Sequence, residues 1–418
     1  MQLTQEDQAM LAGDYGAGVR MAMSIIVRMA EISNVEYLMD ISAAHIDSAI
    51  YMGDATLEFA EKLVSLGARV SVHSTLNVSG LDEHGWQNWD VPADWAKKAL
   101  RQMRAYQQMG CIPIWTCAPY QMNNRPLFGQ QIAWGESNAI AFINSVVGAR
   151  TERYPDLLDI CAAITGRVPA AGLHLTENRA GQLLFRMIDV PLDMQQSDLF
   201  YPVLGFILGQ EAGEKIPVVE GITAEPEEDQ LKALGAAAAS AGGVALFHLI
   251  GITPEAPTVE KAFQGGHPEQ IIDLNQDKLR AAYWQLSTAE NTELDLVALG
   301  CPHFSIAEFE KLTKLISGKR KHPNVRFLVT TNRWVMNQAQ QKGYIDKLES
   351  FGAELSVDAC ILTSPMLPKN IKTIMTNSGK YAYYTPGLLD RKIHFASIED
   401  CVRSAIEGFV IRENELWR

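Results

Sequence analysis

Short apolar runs alternate with helix-patterned stretches along nearly the whole chain, and this alternation limits the fold more than any other feature of the sequence. Strands joined through helices run parallel, because a long crossover returns the chain to the same end of the sheet. The runs VEYLMDIS, RVSVHSTLN, IPIWTC, AGLHLT, IPVVEGI, VALFHLIG, LDLVALGC, RFLVTT, LSVDAC and NIKTIMT read as strands. Between them ATLEFAEKLVSLG, DWAKKALRQMRAYQQMG, SNAIAFINSVVGA, YPDLLDICAAITG, EDQLKALGAAAASAG and SIAEFEKLTKLISG read as helices, several of them stopped by a glycine suited to a left-handed cap. The expected class is α/β with mainly parallel sheets.

At 418 residues the chain exceeds a usual single domain, so more than one lobe is expected. Residues 256–279, APTVEKAFQGGHPEQIIDLNQDKL, are less regular and read as a connection between an N-terminal part, 1–255, and a C-terminal part, 256–418. The formal charge is −13 and no dense Lys/Arg run occurs, which argues against a nucleic-acid track or an anionic membrane surface and leaves a small molecule as the expected ligand. The start, MQLTQEDQAMLAG, is polar and acidic where a signal peptide is basic and then apolar, and no apolar window is long enough to span a bilayer. A cytoplasmic protein is expected.

Six cysteines scattered over this length do not make a disulfide framework; in a reducing compartment they are buried hydrophobes, nucleophiles or metal ligands. Cys161 in YPDLLDICAAITG and Cys401 in SIEDCVRSAIEG fall on the apolar faces of helices and read as core. Cys111 opens a strand, so it belongs at the edge opposite the carboxyl ends. Cys117, Cys301 and Cys360 each close an apolar run and precede a loop containing proline. In open α/β sheets the carboxyl ends of strands face the ligand crevice, so these three thiols can converge although far apart in sequence. Three thiolates without a fourth suit a site with an open coordination position. Zinc would add a histidine or carboxylate; an iron-sulfur cluster would keep one iron free to act on substrate.

Polar groups gather at similar positions. His45, Asp47 and Ser48 follow the first run in AAHIDSAIYMG, and Ser74, Thr75 and Asn77 end RVSVHSTLN. Glu136, Ser137 and Asn138 open a helix, whose free N–H groups can take an anion, or Ser137 and Asn138 simply cap it. TNSGKYAYYTPG puts Ser378, Gly379 and Lys380 in a turn, where the lysine either grips an anion or stays solvated. Arg150, Arg153 and Arg167 either clamp a carboxylate or pair with nearby acids. GDYGAGVR is no dinucleotide fingerprint, since no strand precedes it, and Walker A, GxSxG and HExxH patterns do not occur.

The motifs AAHID, STLNVSG, TCAPY, WGESNAIAFINSVVGART, GCPH, VDAC and NSGK, in that order, resemble the large, catalytic subunit of the aconitase X family over nearly the whole chain. The resemblance implies an aconitase-like fold of several α/β/α lobes around an iron-sulfur cluster, [4Fe-4S] or [2Fe-2S], held by Cys117, Cys301 and Cys360. It implies substrate contacts at His45, Asp47, Ser48, Asn77, Val78, Ser137, Asn138, Ser378, Gly379 and Lys380. The CxxC ligand pair of ordinary aconitases is missing, and the chain stops at IRENELWR without their swivelling domain. A separate small subunit carrying that domain and its serine base is therefore the implied partner.

The implied reaction is a dehydration, either of cis-3-hydroxy-L-proline to Δ1-pyrroline-2-carboxylate or of mevalonate 5-phosphate to anhydromevalonate phosphate. A phosphorylated substrate calls for several Arg or Lys at its anion end; NSGK supplies one lysine, so hydroxyproline is the expected substrate. The residues alone also admit a zinc-dependent hydrolase or lyase with two cysteines and His303 or His45 as third ligand, and a non-catalytic iron-sulfur protein.

Overall fold

The structure, a computed structural model, describes residues 1–123, 125–413 and 415–417. Among these, three sheets are parallel throughout. The first has the order His73–Leu76, Ala43–Ile46, Ala133–Trp134. The middle one runs His248–Leu249, Pro217–Glu220, Leu183–Met187, Gln270–Leu274. The last runs Glu354–Val357, Arg326–Thr331, Leu296–Leu299, Thr373–Thr376, Lys392–Phe395. A small antiparallel pair, Leu38–Asp40 with Arg167–Pro169, closes the first lobe.

The last sheet shows why its strands are apolar without alternation. Leu296 and Ala298 point into the large core shared with the first two lobes, while Val297 and Leu299 point into a separate core of the last lobe. Phe327, Val329 and Met375 join the second core; Leu328 and Ile374 join the first. With both faces covered, these side chains leave water on folding, a contribution of about 1.5–3 kcal/mol apiece for the Leu, Val, Ile, Phe and Met among them.

Several strands differ from the sequence reading. VEYLMDIS gives only Leu38–Asp40, and the first parallel strand is the AAHI that follows it. IPIWTC is not a strand: Pro113 cannot donate to a ladder, and a lone bridge from Ile112 to Thr75 is all that forms. AGLHLT winds into short 3-10 turns, Gly172–His174 and Thr176–Arg179. Leu183–Met187, Gln270–Leu274 and Lys392–Phe395 lie outside the expected runs because charged or exposed residues interrupt their apolar pattern. The segment 256–279, expected as a connection, supplies the helix Val259–Ala262 and the strand Gln270–Leu274 to the middle lobe, so that lobe draws on both sides of residue 255.

In a parallel sheet every carboxyl end lies on one edge. The carboxyl edges of the first and last sheets face each other and are joined by backbone hydrogen bonds: the Ser79 N–H donates to the Asp358 carbonyl at 2.8 Å, and the Cys360 N–H donates to the Ser79 carbonyl at 3.3 Å. The middle lobe backs this junction with the helix Glu228–Ala241, which packs on Ser137–Phe142 and on Gly379–Leu389.

Candidate functional site

Leu296–Leu299 ends at Gly300, whose φ is 93°. A Cβ there would sit 2.2 Å from the Thr330 carbonyl oxygen, so only glycine turns the chain at this point. The next residue, Cys301, is joined to Pro302 by a cis peptide and lines a cavity of about 150 Å³ between the facing sheet edges. Cys360 reaches the same cavity three residues beyond the strand Glu354–Val357. Cys117 arrives from the loop after Ile112 rather than from a strand end, and it too lines the cavity. That volume lies well below the roughly 300 Å³ at which pockets for drug-sized ligands begin, so the space suits a compact group or a small acid.

Opposite the thiols stand two carboxyls and an ammonium. Lys380 Nζ donates to Glu136 Oε1 at 2.7 Å, and Asn138 Nδ2 donates to the same oxygen at 2.6 Å. Asn77 Nδ2 donates to Glu136 Oε2 at 3.0 Å and also to Asp47 Oδ1. Burial pushes the Glu136 carboxyl up, but the Lys380 charge and these hydrogen bonds outweigh it and hold the group at about 2. Asp47 moves the other way: burial, then the charges of Glu136, Asp156 and Asp159, raise it well above the usual carboxylate range. Two neighbouring carboxyls are thus shifted in opposite directions, the pattern that separates an acid from a base.

Burial raises all three thiols, Cys301 to about 12, while the positive charge of Lys380 pulls each of them down. A bound cation is what would convert them to thiolates. The donor set suits a cluster, because three thiols on separate segments line one cavity and a cluster spreads its cysteines over separate irons. His45, one of the two histidines considered for zinc, has both ring nitrogens engaged, Nδ1 with Thr75 Oγ1 at 2.8 Å and Nε2 with the Thr116 carbonyl at 3.0 Å.

Of the residues expected at the site, Cys117, Cys301, Cys360, Asp47, Val78 and Lys380 line the cavity. Asn77 and Asn138 stand one step behind, as donors to the cavity carboxylates. Others are occupied elsewhere. The Ser48 hydroxyl donates to Asp159 and accepts the Leu157 N–H at 2.7 Å. Ser137 Oγ lies 3.4 Å from Glu136 Oε1, and the helix cap is Glu136 itself, which accepts the Asn138 N–H. Ser378 caps Gly379–Leu389 through the Tyr381 N–H and donates to the Cys301 carbonyl. Gly379 is a packing contact: an added Cβ would meet Ala237 Cβ at 3.0 Å and Pro202 Cβ at 3.2 Å. The expected NSGK turn is the first turn of a helix, and Lys380 is 9% exposed rather than solvated.

The three arginines settle as structural ion pairs or backbone clamps. Arg167 pairs with Glu6, Asp7 and Asp40, Arg153 donates to the Gly243 carbonyl, and Arg150 donates to the His174 carbonyl. Cys161 and Cys401 are fully buried on their helices, as their spacing indicated. Glu136 and Thr330 are cavity residues that the sequence reading did not include in its site. The signal for Glu136 was its place directly before the helix start; Thr330 lies within an apolar strand and offered none.

Three family models cover the chain in sequence: the aconitase X first domain over residues 1–177, the second over 181–284 and the third over 294–407. A cis-3-hydroxy-L-proline dehydratase of Pseudomonas aeruginosa is 45% identical over 96% of this chain and 69% of its own length. The phosphomevalonate dehydratase large subunit of Methanothermobacter thermautotrophicus is 35% identical over 92% of this chain and 94% of its own length. The crystal structure of Thermococcus kodakaraensis aconitase X in its holo form superposes with a TM-score of 0.87 at 31% identity, covering 97% of this chain and all of that one. This protein belongs to the aconitase X family.

Proposed function

We propose that the chain is an iron-sulfur hydro-lyase that dehydrates cis-3-hydroxy-L-proline to Δ1-pyrroline-2-carboxylate. The observation that carries this reading is the meeting, in one cavity, of three thiols with two carboxyls and a lysine, the carboxyls being shifted in opposite directions by their surroundings. Cys117, Cys301 and Cys360 would hold the cluster, [4Fe-4S] or [2Fe-2S]. When bound, it supplies an iron that draws on the β-hydroxyl and makes it a better leaving group.

The chain's own residues account for the rest of this part of the site. Hydroxyproline carries a carboxylate and a ring ammonium, and the cavity offers one cation, Lys380, beside the ionised Glu136. Glu136 holds the ammonium and Lys380 the carboxylate, each by a charge-assisted hydrogen bond. Asp47, pushed towards its protonated form by burial and by the Glu136 charge, gives its proton to the departing hydroxyl oxygen. Asn77 keeps the two carboxyls apart by donating to both. The base that removes the α-proton comes from a small swivel-domain partner; relatives named as large subunits support such a partner. We place the protein in the cytoplasm, where its six unpaired cysteines stay reduced; no described helix is long and apolar enough to cross a membrane.

The second reading is phosphomevalonate dehydration. Lys369 and Arg391 line a larger cleft of about 820 Å³ that shares Leu388 with the cavity and has room for a phosphate. The test is anaerobic co-purification with the small partner, iron and sulfide analysis, and assay of both substrates. Turnover of cis-3-hydroxy-L-proline is expected. Turnover of mevalonate 5-phosphate alone overturns the substrate, and zinc without sulfide overturns the cofactor.

A further inference from the structure

The turn that follows Cys301 is held more tightly than a loop carrying one thiol requires. His303 is 2% exposed, and it touches all three cysteine-bearing segments. It lies two residues after Cys301; its backbone N–H donates to Cys117 Sγ at 3.2 Å; its ring Nε2 lies 3.1 Å from the carbonyl of Ala359, the neighbour of Cys360. A carbonyl only accepts, so Nε2 carries the ring proton and the neutral ring keeps its lone pair at Nδ1. That nitrogen is buried without a partner, and His303 forms part of the cavity wall.

The fourth polar group of His303, its carbonyl, accepts from Lys232 Nζ at 3.4 Å. Lys232 belongs to the middle-lobe helix Glu228–Ala241, is 2% exposed, and sits between Asp229 at 2.7 Å and Glu308 at 2.5 Å. Both carboxylates brace the same turn. Asp229 accepts from Ser305 Oγ at 2.6 Å, and Glu308 accepts from the Ser305 N–H at 2.8 Å. A buried ion triad directed at residues 303–305 leaves that turn little freedom to move.

We infer that His303 is the positioning residue of this site: it fixes the spacing of the three cysteine segments through its ring and backbone, and directs an N–H at the Cys117 sulfur. The inference rests on the reading that these cysteines bind an iron-sulfur cluster. A hydrogen bond to a ligand sulfur favours the more negatively charged, reduced state, so losing its alignment lowers the reduction potential.

The experiment compares wild type, His303→Ala and His303→Gln as holoproteins, Gln being able to place a donor where Nε2 stands. Melting temperature, visible circular dichroism, reduction potential and the rate of iron release to a chelator are read for each. His303→Ala is expected to shift the visible bands, lower the potential and release iron at least about tenfold faster. His303→Gln is expected to restore all three towards wild type. An alanine variant with the wild-type spectrum, potential and release rate overturns the inference. A wild-type protein that takes up no iron or sulfide overturns the cluster reading instead. The positioning role is then read from alkylation of the metal-free protein: Cys117 reacting about tenfold faster in His303→Ala, with Cys161 unchanged, supports it, and equal rates overturn it.

Discussion

The two sheet edges that face the cavity are built alike and carry different chemistry. The first sheet ends in Asp47, Asn77 and Glu136, two carboxyls bridged by an amide donor; the last leads to the thiols of Cys301 and Cys360 and to the helix that brings Lys380. Each edge is incomplete alone. Glu136 is ionised because a lysine of the other lobe pairs with it, and Cys117 of the first lobe receives its hydrogen bond from His303 of the last. The difference teaches that opposed edges of parallel sheets let each edge complete the other, a carboxylate of one meeting the lysine of the other and a thiol of one meeting the N–H of the other.

The sharpest way to break the comparison is to remove a thiol. Cys117→Ser, Cys301→Ser or Cys360→Ser should each abolish bound iron and lower kcat/KM by roughly a thousandfold or more, as expected when several kcal/mol of Lewis-acid assistance is lost. Cys161→Ala should leave both unchanged. Iron analysis with turnover separates them, and similar behaviour of all four would refute the convergence of three.

Next comes the bond across the edges. Lys380→Met leaves the Glu136 carboxylate buried and unpaired, which should cost about 3–5 kcal/mol of stability and at least about 100-fold in activity. Adding Glu136→Gln should recover most of the stability and none of the activity. Urea unfolding and kinetics on the two proteins read this out; recovery of turnover in the double variant would sink the role given to the pair.

Asp47→Asn should lower kcat by about 10²–10⁴-fold, the range for a lost proton donor. Because the folded-state pKa is raised, the carboxyl keeps its proton to higher pH than a free aspartate does and ionises as pH rises above the usual carboxylate range. A protonated-carboxyl infrared band should therefore persist in wild type above the pH at which a free aspartate loses it, and be missing in Asp47→Asn. Glu136→Gln removes the neighbouring negative charge and should move the loss of that band to lower pH.

Ser48 gives the smallest effect and marks where the site stops. Ser48→Ala deletes a buried hydroxyl that serves Asp159 and the Leu157 N–H, at a cost of about 1–3 kcal/mol in stability. Its kcat/KM should match wild type; a large loss would return Ser48 to the substrate.

The parallel class was legible because LVAL and RFLVTT bury both faces and so read as continuous apolar runs. Gln270–Leu274 was not, since its exposed edge position removes that pattern. Cys301 and Cys360 were found by the rule that carboxyl ends face the ligand. Cys117 was found for a partly wrong reason, as its segment is a loop held by one bridge. The functional weight of Glu136 was hidden because its partner, Lys380, lies 244 positions away, and spacing says nothing about contacts at that range.

The long-range stitches also set a timetable. Ser79 and Asp358 are 279 positions apart, and Cys117 waits 186 positions for the His303 N–H. At about 5–20 residues per second, a ribosome needs roughly 10–40 s to make that second stretch. The pocket is thus completed only after Lys380 and Leu388 have been made, late in the chain. Whatever the three thiols bind can be held by all of them only once Cys360 has been made.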